Sequence, residues 1–130
     1  MLRDTPIGSK EKLMKYLDFK TNESVIELGC GTGENIKYLS GNLDVHMLDM
    51  SENMLKSAKL KAKEQNKDIN FYQGDARETR LEDSYFNKGL LTFALSGIPE
   101  NKKVLEEMSR IIKSNGLLGI LDFSGIKPNY

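Results

Sequence analysis

Three alternating glycines are the residues of this sequence whose type and spacing best suit a chemical role. Gly29, Gly31 and Gly33 follow a short apolar run over residues 24–28 and precede a segment with helical spacing. Glycine there permits a tight turn with positive φ and lets the backbone approach a ligand closely. An ordinary strand-to-helix turn needs fewer glycines, so we interpret the run, which includes Cys30, as a ligand-binding loop.

The spacing of these glycines distinguishes between classes of ligand. Dinucleotide sites use Gly-x-Gly-x-x-Gly and face a pyrophosphate, but here the third glycine comes one residue early and Glu34 stands in its place. No Gly-Lys-Ser/Thr follows, so a P-loop for phosphate is absent. S-adenosylmethionine has no phosphate and carries a cationic sulfonium, which the carboxylate of Glu27 beside the loop would suit. A nucleotide- or NAD-dependent enzyme is the alternative that this spacing disfavours.

Two aspartates stand where contacts to ribose and adenine occur in Rossmann-like sites. Asp49 ends the second apolar run, where an acidic residue accepts hydrogen bonds from ribose hydroxyls. Helix capping is the alternative role for Asp49, but Ser51 is already suited to be the N-cap. Asp75 is either a turn residue or an acceptor for the adenine amino group, with Ala76 offering a backbone N–H. Taken with Asp49, the adenine interpretation is favoured.

Alternating strands and helices are predicted to position these residues. Apolar runs predict five strands, at 24–28, 45–48, 69–72, 90–95 and 117–123. Amphipathic spacing predicts helices at 12–17, 33–39, 51–66 and from Pro99 to the turn at 114–116. The alternation predicts an α/β fold, a Rossmann-like doubly wound and mostly parallel sheet with helices on both faces. Ligands in such sheets bind at the carboxyl ends of the strands.

Length and composition limit the class of protein. With 130 residues, we expect a single domain over 1–130, in which a helical lead-in over 1–23 precedes a core over 24–130. The balance of 19 basic and 19 acidic residues disfavours a nucleic-acid partner. One cysteine excludes an internal disulfide and offers no metal site, and no run reaches the roughly 20 apolar residues of a membrane span. We therefore expect a cytoplasmic protein without a metal.

Four motifs in order resemble those of the class I S-adenosylmethionine-dependent methyltransferases. They are Glu27–Gly33, Leu48–Leu55, Gly74–Ala76 and Arg110–Gly116. Within that superfamily, Leu91–Leu95 and residues 120–124 are similar to the ubiquinone/menaquinone-biosynthesis C-methyltransferases, although Ser96-Gly97 stands where that family has Arg-Asn. The resemblance implies S-adenosyl-L-methionine as cofactor and Met50 as the residue that covers adenine. The predicted cofactor site comprises Glu27, Gly29, Cys30, Gly31, Gly33, Asp49, Met50, Asp75 and Ala76.

The resemblance also implies a reaction and a departure from the family. The implied activity is methyl transfer to a small-molecule acceptor, for which Ser96 is the candidate polar group and His46 is interpreted as a packing residue. Class I members close with two more strands, whereas this chain is truncated after the fifth. The apolar edge over 117–121 therefore predicts a homodimer or another partner along that edge, or else poor solubility. The alternative function is a non-catalytic cofactor-binding module, or a methyltransferase remnant that acts with a partner.

Overall fold

The computed structural model describes residues 8–122, which contain one parallel sheet of five strands. The strands are β1 (Ser24–Leu28), β2 (Asp44–Asp49), β3 (Ile69–Gln73), β4 (Phe86–Thr92) and β5 (Ile112–Leu121). Their order is β3-β2-β1-β4-β5, and every neighbouring pair is parallel. The predicted Rossmann-like sheet that ends with the fifth strand is confirmed. Residues 1–7 of the predicted lead-in, and residue 123 of the predicted fifth strand, lie outside the described residues.

Three α-helices cover the two faces of the sheet, as predicted. They are α1 (Ser9–Leu17), α2 (Glu52–Glu64) and α3 (Asn101–Ile111). Side chains of α1 and α2 join one apolar cluster, and those of α3 join a second cluster. Along β1, Val25 belongs to the first cluster and Ile26 to the second, and both are fully buried. A strand buried on both faces is apolar at successive positions, which explains the adjacent apolar residues Val25 and Ile26.

The segment that follows the glycine loop differs from the predicted helix. Residues 33–39 contain only a 3₁₀ turn, Ile36–Tyr38, and no α-helix. Its backbone hydrogen bonds span three residues, as from Ile36 N to Gly33 O at 3.1 Å and from Leu39 N to Ile36 O at 3.1 Å. The side chain of Asn35 reaches inward to a buried carboxylate, so the chain tightens here instead of extending an amphipathic helix.

The boundaries around the last two strands were also predicted inaccurately. The fourth strand ends at Thr92 because Phe93 takes a left-handed φ of 57°. Glu100 also has a left-handed backbone conformation, so α3 begins after it, at Asn101 rather than at Pro99. The turn expected at 114–116 is a bulge within β5, because Phe86 pairs with Ile112 whereas Lys88 pairs with Leu117.

Within the described residues, β3 and β5 form the two edges of the sheet. The prediction that the fifth strand is an edge is therefore confirmed. Its Leu117 is among the exposed large hydrophobic residues, with 38% of its surface accessible. An unpaired apolar edge can pair with another strand, so a homodimer through β5 stays a prediction.

A buried carboxylate ties the connection between β3 and β4 to α3. Glu107 Oε2 accepts hydrogen bonds from Thr79 N at 2.6 Å and from Thr79 Oγ1 at 2.5 Å. Arg110 donates to both oxygens of the same carboxylate, at 2.9 and 2.8 Å. These hydrogen bonds, with that of Arg110 the strongest, lower the pKa of Glu107 to about 2. The anchor fixes a connection that contains no helix of its own.

Replacing this carboxylate is expected to destabilise the fold at neutral pH. Glu107→Gln should lower the free energy of unfolding by about 2 kcal/mol, because charge-assisted hydrogen bonds are lost. A lowered carboxyl pKa stabilises above the unfolded value of 4.5, and that contribution is lost as pH falls through about 2. Urea titrations should therefore show the gap between wild type and variant closing in acid. Glu106→Gln, at an exposed position of the same helix, is the matched control; equal destabilisation by both would contradict the anchor.

Candidate functional site

A cavity of about 480 Å³ lies at the carboxyl ends of the strands, and we call it the strand-end cavity. It sits where strand order reverses, because β1 connects to β2 on one side and pairs with β4 on the other. Its lining comprises Gly29, Leu48, Asp49, Met50, Gly74, Asp75, Ala76, Arg77, Phe93, Ala94, Gly97, Ile98 and Pro99. Five of the nine predicted cofactor residues thus share one cavity: Gly29, Asp49, Met50, Asp75 and Ala76.

The glycine loop is held against the end of β2 by backbone hydrogen bonds. Gly29 N and Cys30 N both donate to Leu48 O, at 2.8 and 3.1 Å. Gly29 has a φ of 74°, and a Cβ added there would lie 2.7 Å from Ala94 Cβ on β4's side. Gly31 has a φ of 56°, and an added Cβ would meet no atom within 4 Å. Gly29 is therefore required for close approach, and Gly31 for backbone conformation.

Asp49 joins this loop to the start of α2. Its Oδ2 accepts from Gly31 N at 2.8 Å, and its Oδ1 accepts from Ser51 N at 2.9 Å. Ser51 Oγ accepts from Met54 N at 3.2 Å, so Ser51 is the N-cap of the helix as predicted. Each carboxylate oxygen of Asp49 keeps a second lone pair for another donor, at the wall of the strand-end cavity.

Asp75 is paired with an arginine that the sequence analysis did not identify. Arg77 donates from Nε and Nη2 to the Asp75 carboxylate, at 3.1 and 2.9 Å, and from its backbone N at 2.8 Å. These hydrogen bonds lower the pKa of Asp75, so the group is ionised at neutral pH. Arg77 Nη1 also reaches Glu100 Oε1 at 3.1 Å, which links the β3 side of the cavity to the start of α3. An Asp two residues before an Arg is an ordinary turn pattern in sequence, so nothing marked this pair.

Glu27 lies beneath the glycine loop and does not line the strand-end cavity. It is 2% exposed, and its Oε2 accepts from Asn35 Nδ2 at 2.7 Å and from Thr92 Oγ1 at 3.2 Å. Among the described residues, Glu27 Oε1 and Asn35 Oδ1 are buried without a hydrogen-bond partner. Burial raises the pKa of Glu27 to about 7, although both hydrogen bonds act in the opposite direction. Asn35 and Thr92 were not predicted, because each meets Glu27 only through the fold.

The remaining predicted residues take several positions around the strand-end cavity. Met50 is 60% exposed at its rim, whereas Cys30 is buried, which raises the pKa of its thiol. Gly33 belongs to the loop but not to the lining. Ser96 is exposed outside the lining, and its backbone N donates to Asp122 at 3.1 Å. Phe93 lines the cavity instead, in its left-handed conformation, with the Lys10 Nζ of α1 at 5.7 Å from the ring centre.

The side chains and helices of residues 8–122 bear on metal binding and on membrane insertion. No group of three or more His, Cys, Asp or Glu side chains there has an arrangement that could hold a metal ion. No helix in this part of the chain has the length and apolar character needed to cross a bilayer.

Comparisons with known proteins agree with the motifs and with this geometry. A family model described as a methyltransferase domain matches residues 26–120. A demethylmenaquinone methyltransferase from Paenarthrobacter aurescens is 36% identical over 109 residues, which cover 83% of this chain and 42% of the relative. The chain spans about half the length of the curated relatives it matches.

Solved structures show the same fold. The YcgJ protein from Bacillus subtilis superposes with a TM-score of 0.84 at 21% identity, covering 90% of this chain and 51% of that one. A phosphoethanolamine N-methyltransferase from Haemonchus contortus, solved with S-adenosyl-L-methionine, superposes with a TM-score of 0.77 at 24% identity over 87% of this chain and 27% of that one. The matched family model, covering most of the described residues, shows that this chain belongs to the class I S-adenosylmethionine-dependent methyltransferases.

Proposed function

We propose that this chain binds S-adenosyl-L-methionine in the strand-end cavity and transfers its methyl group to a small-molecule acceptor. The observation that carries the proposal is the meeting of Asp49 and Asp75 with the glycine loop at one cavity of about 480 Å³. That volume lies in the usual range of small-molecule sites. A cytoplasmic location is part of the proposal, and the free thiol of Cys30 supports it.

The side chains around the strand-end cavity fit the cofactor by charge and hydrogen bonding. The cofactor supplies a methyl group on a cationic sulfur, together with hydroxyl and amino donors. Asp49 has lone pairs free for ribose hydroxyls, and Asp75 is an ionised acceptor suited to the adenine amino group. Glu27, buried next to the loop and outside the lining of the cavity, adds a third carboxyl group, whose Oε1 has no partner among the described residues. All three positions are acceptors, which a donor-rich cation requires.

The wall on the β4 side is suited to an apolar acceptor. Phe93, Ile98 and Pro99 line that side of the cavity, and Phe93 is held in place by its left-handed backbone. Holding an acceptor in line with the transferred methyl group can supply much of the rate. A general base is needed only where the attacking atom carries a proton. Ser96, the polar group expected from the sequence, lies outside the lining of this cavity. Because its relatives are named for demethylmenaquinone, that compound is the first acceptor to test.

Calorimetric titration is expected to separate the possible cofactors. S-adenosylmethionine and S-adenosylhomocysteine should both bind, and NADH should not, because the loop lacks the dinucleotide spacing. Methyl transfer is then measured with radiolabelled cofactor and demethylmenaquinone. Cofactor binding without transfer to any of a panel of acceptors would favour a non-catalytic module, and binding of NADH alone would contradict the cofactor assignment.

Removing the carboxylate of Asp49 is expected to weaken cofactor binding. Asp49→Ala should raise the Kd for S-adenosylhomocysteine by roughly a hundredfold, since two hydrogen bonds to a charged group are lost. Asp49→Asn keeps one acceptor oxygen, so its Kd should lie between those of Asp49→Ala and wild type. Exposed Asp68→Ala is the matched control, and thermal melting verifies the fold. An unchanged Kd in Asp49→Ala would exclude the ribose assignment.

Cofactor affinity is expected to depend on the ionisation of Glu27. A cationic ligand favours the ionised carboxylate, so the Kd should fall as pH rises toward about 7 and level off above it. Below that pH the change should approach about tenfold per pH unit. In the free protein, the raised pKa should instead lower the free energy of unfolding as pH rises from 4.5 to about 7.

The variant Glu27→Gln isolates this titration from that of the ligand. Calorimetry across the pH range should show its Kd losing the part of the pH dependence that Glu27 causes. Glu64→Gln, exposed on α2, should keep the wild-type profile. Identical profiles for wild type and Glu27→Gln would show that Glu27 does not titrate in the binding range.

A further inference from the structure

A second cavity, of about 260 Å³, opens on the α3 face of the sheet, and we call it the His46 cavity. Its lining comprises His46, Tyr72, Leu81, Glu82, Tyr85 and Phe86. None of these six residues lines the strand-end cavity. It forms beside residues 74–85, which connect β3 to β4 without a helix in the described structure. No helix of this connection covers His46 on β2 and Tyr72 on β3, and these aromatic and polar side chains line the cavity.

A half-buried aspartate organises the polar groups beside this cavity. Asp44 Oδ1 lies 3.0 Å from His46 Nε2, and its Oδ2 accepts from Tyr85 Oη and Ser24 Oγ, each at 2.9 Å. Burial raises the pKa of Asp44, but these hydrogen bonds outweigh burial and leave the pKa below its usual value. Asp44 is therefore ionised at neutral pH and can only accept hydrogen bonds.

With a neutral imidazole at His46, the ionised aspartate sets the direction of every hydrogen bond in the network. Because Asp44 accepts, His46 Nε2 carries the hydrogen, and Nδ1 of the neutral imidazole is an acceptor. Tyr72 Oη lies 2.8 Å from that Nδ1 and donates its single hydrogen to it. Tyr85 likewise donates its hydroxyl hydrogen to Asp44. Both phenol oxygens are left with lone pairs only, so they can accept but not donate.

The rest of the lining reinforces this polarity. Glu82 adds an exposed carboxylate, and the six lining residues include no lysine or arginine. Tyr72 stacks on His46 with ring centres 5.8 Å apart, and Phe86 meets the same imidazole edge-on at 5.1 Å. Aromatic ring faces attract cations. An anion would meet acceptors and ring faces, so the lining is complementary to a cation that carries N–H donors.

We propose that the His46 cavity binds a small organic ammonium ion. Its N–H groups donate to the oxygens of Tyr72 and Tyr85 and to the carboxylate of Glu82. Its alkyl chain packs against Leu81 and the aromatic rings. Because the two cavities share no lining residue, this binding does not depend on the proposed methyl transfer, and either can fail without the other.

The composition of the chain provides a direct probe. His46 is its only histidine, so the Cε1–H resonance in a proton NMR spectrum has one source. Titration with butylammonium, at a pH where that resonance reports neutral imidazole, should give a saturable shift. Butanol, with the same alkyl chain and no charge, should shift it much less. The ammonium group of Nα-acetyl-lysine amide should bind too, and the tighter of the two cations identifies a free amine or a protein side chain as the natural source.

Two variants test the contacts. Glu82→Gln removes a charge at an exposed position outside the hydrogen-bond network, and should weaken butylammonium binding about three- to fivefold. Tyr85→Phe keeps the ring but removes an acceptor oxygen, and should weaken binding by a similar factor. Glu64→Gln and exposed Tyr16→Phe are the matched controls. The proposal is overturned if butylammonium gives no saturable shift, if butanol shifts the resonance equally, or if Glu82→Gln binds as its control does.

Discussion

The attachment of the glycine loop to the end of β2 is the constraint on which the strand-end cavity depends. Gly29 and Cys30 share the carbonyl of Leu48, and Gly31 donates to the side chain of Asp49. These bonds hold a left-handed loop between two strands, so that the ends of β1, β2 and β4 converge. The close approach of Gly29 to Ala94 completes the convergence. A side chain at Gly29 would push β4 away and open the cavity before any ligand contact was altered.

Two buried acceptor oxygens next to this loop, Glu27 Oε1 and Asn35 Oδ1, have no hydrogen-bond partner among residues 8–122 and lower the stability of the fold. A buried acceptor without a partner costs about 1–3 kcal/mol, and the described structure places two such acceptors, on Glu27 and Asn35, side by side. An aliphatic residue at position 27 would remove the unpartnered Oε1, although Asn35 Oδ1 would still have no partner in the described part of the chain. Sites of function commonly retain such unfavourable groups. The proposed binding of a cationic cofactor would give this carboxyl group a role that the packing of the core does not.

Local sequence patterns predicted what depends on neighbours in the chain and missed what depends on distant ones. The parallel sheet, the glycine loop and the Ser51 cap follow from apolar spacing and turn chemistry within a few residues. Arg77 was missed because its local pairing with Asp75 is an ordinary turn pattern, and its contact with Glu100 forms only across the cavity. The helix expected after the loop shortens to a 3₁₀ turn because Asn35 is drawn toward a strand that precedes it. The bulge in β5 likewise depends on how β5 pairs with β4, which the sequence of β5 alone does not predict.

The balanced net charge does not describe the local environments of the charged side chains. Several lysines lie on outer surfaces, as on α2, where Lys56, Lys59 and Lys63 are exposed. Two carboxylates are held by hydrogen bonds along the sheet, Glu27 in a buried position and Asp44 in a half-buried one. Coulomb interactions at a buried position such as that of Glu27 are screened less than those at the surface. The net charge of the chain therefore says little about either proposed cation site, because each depends on a few carboxylates and their local environment.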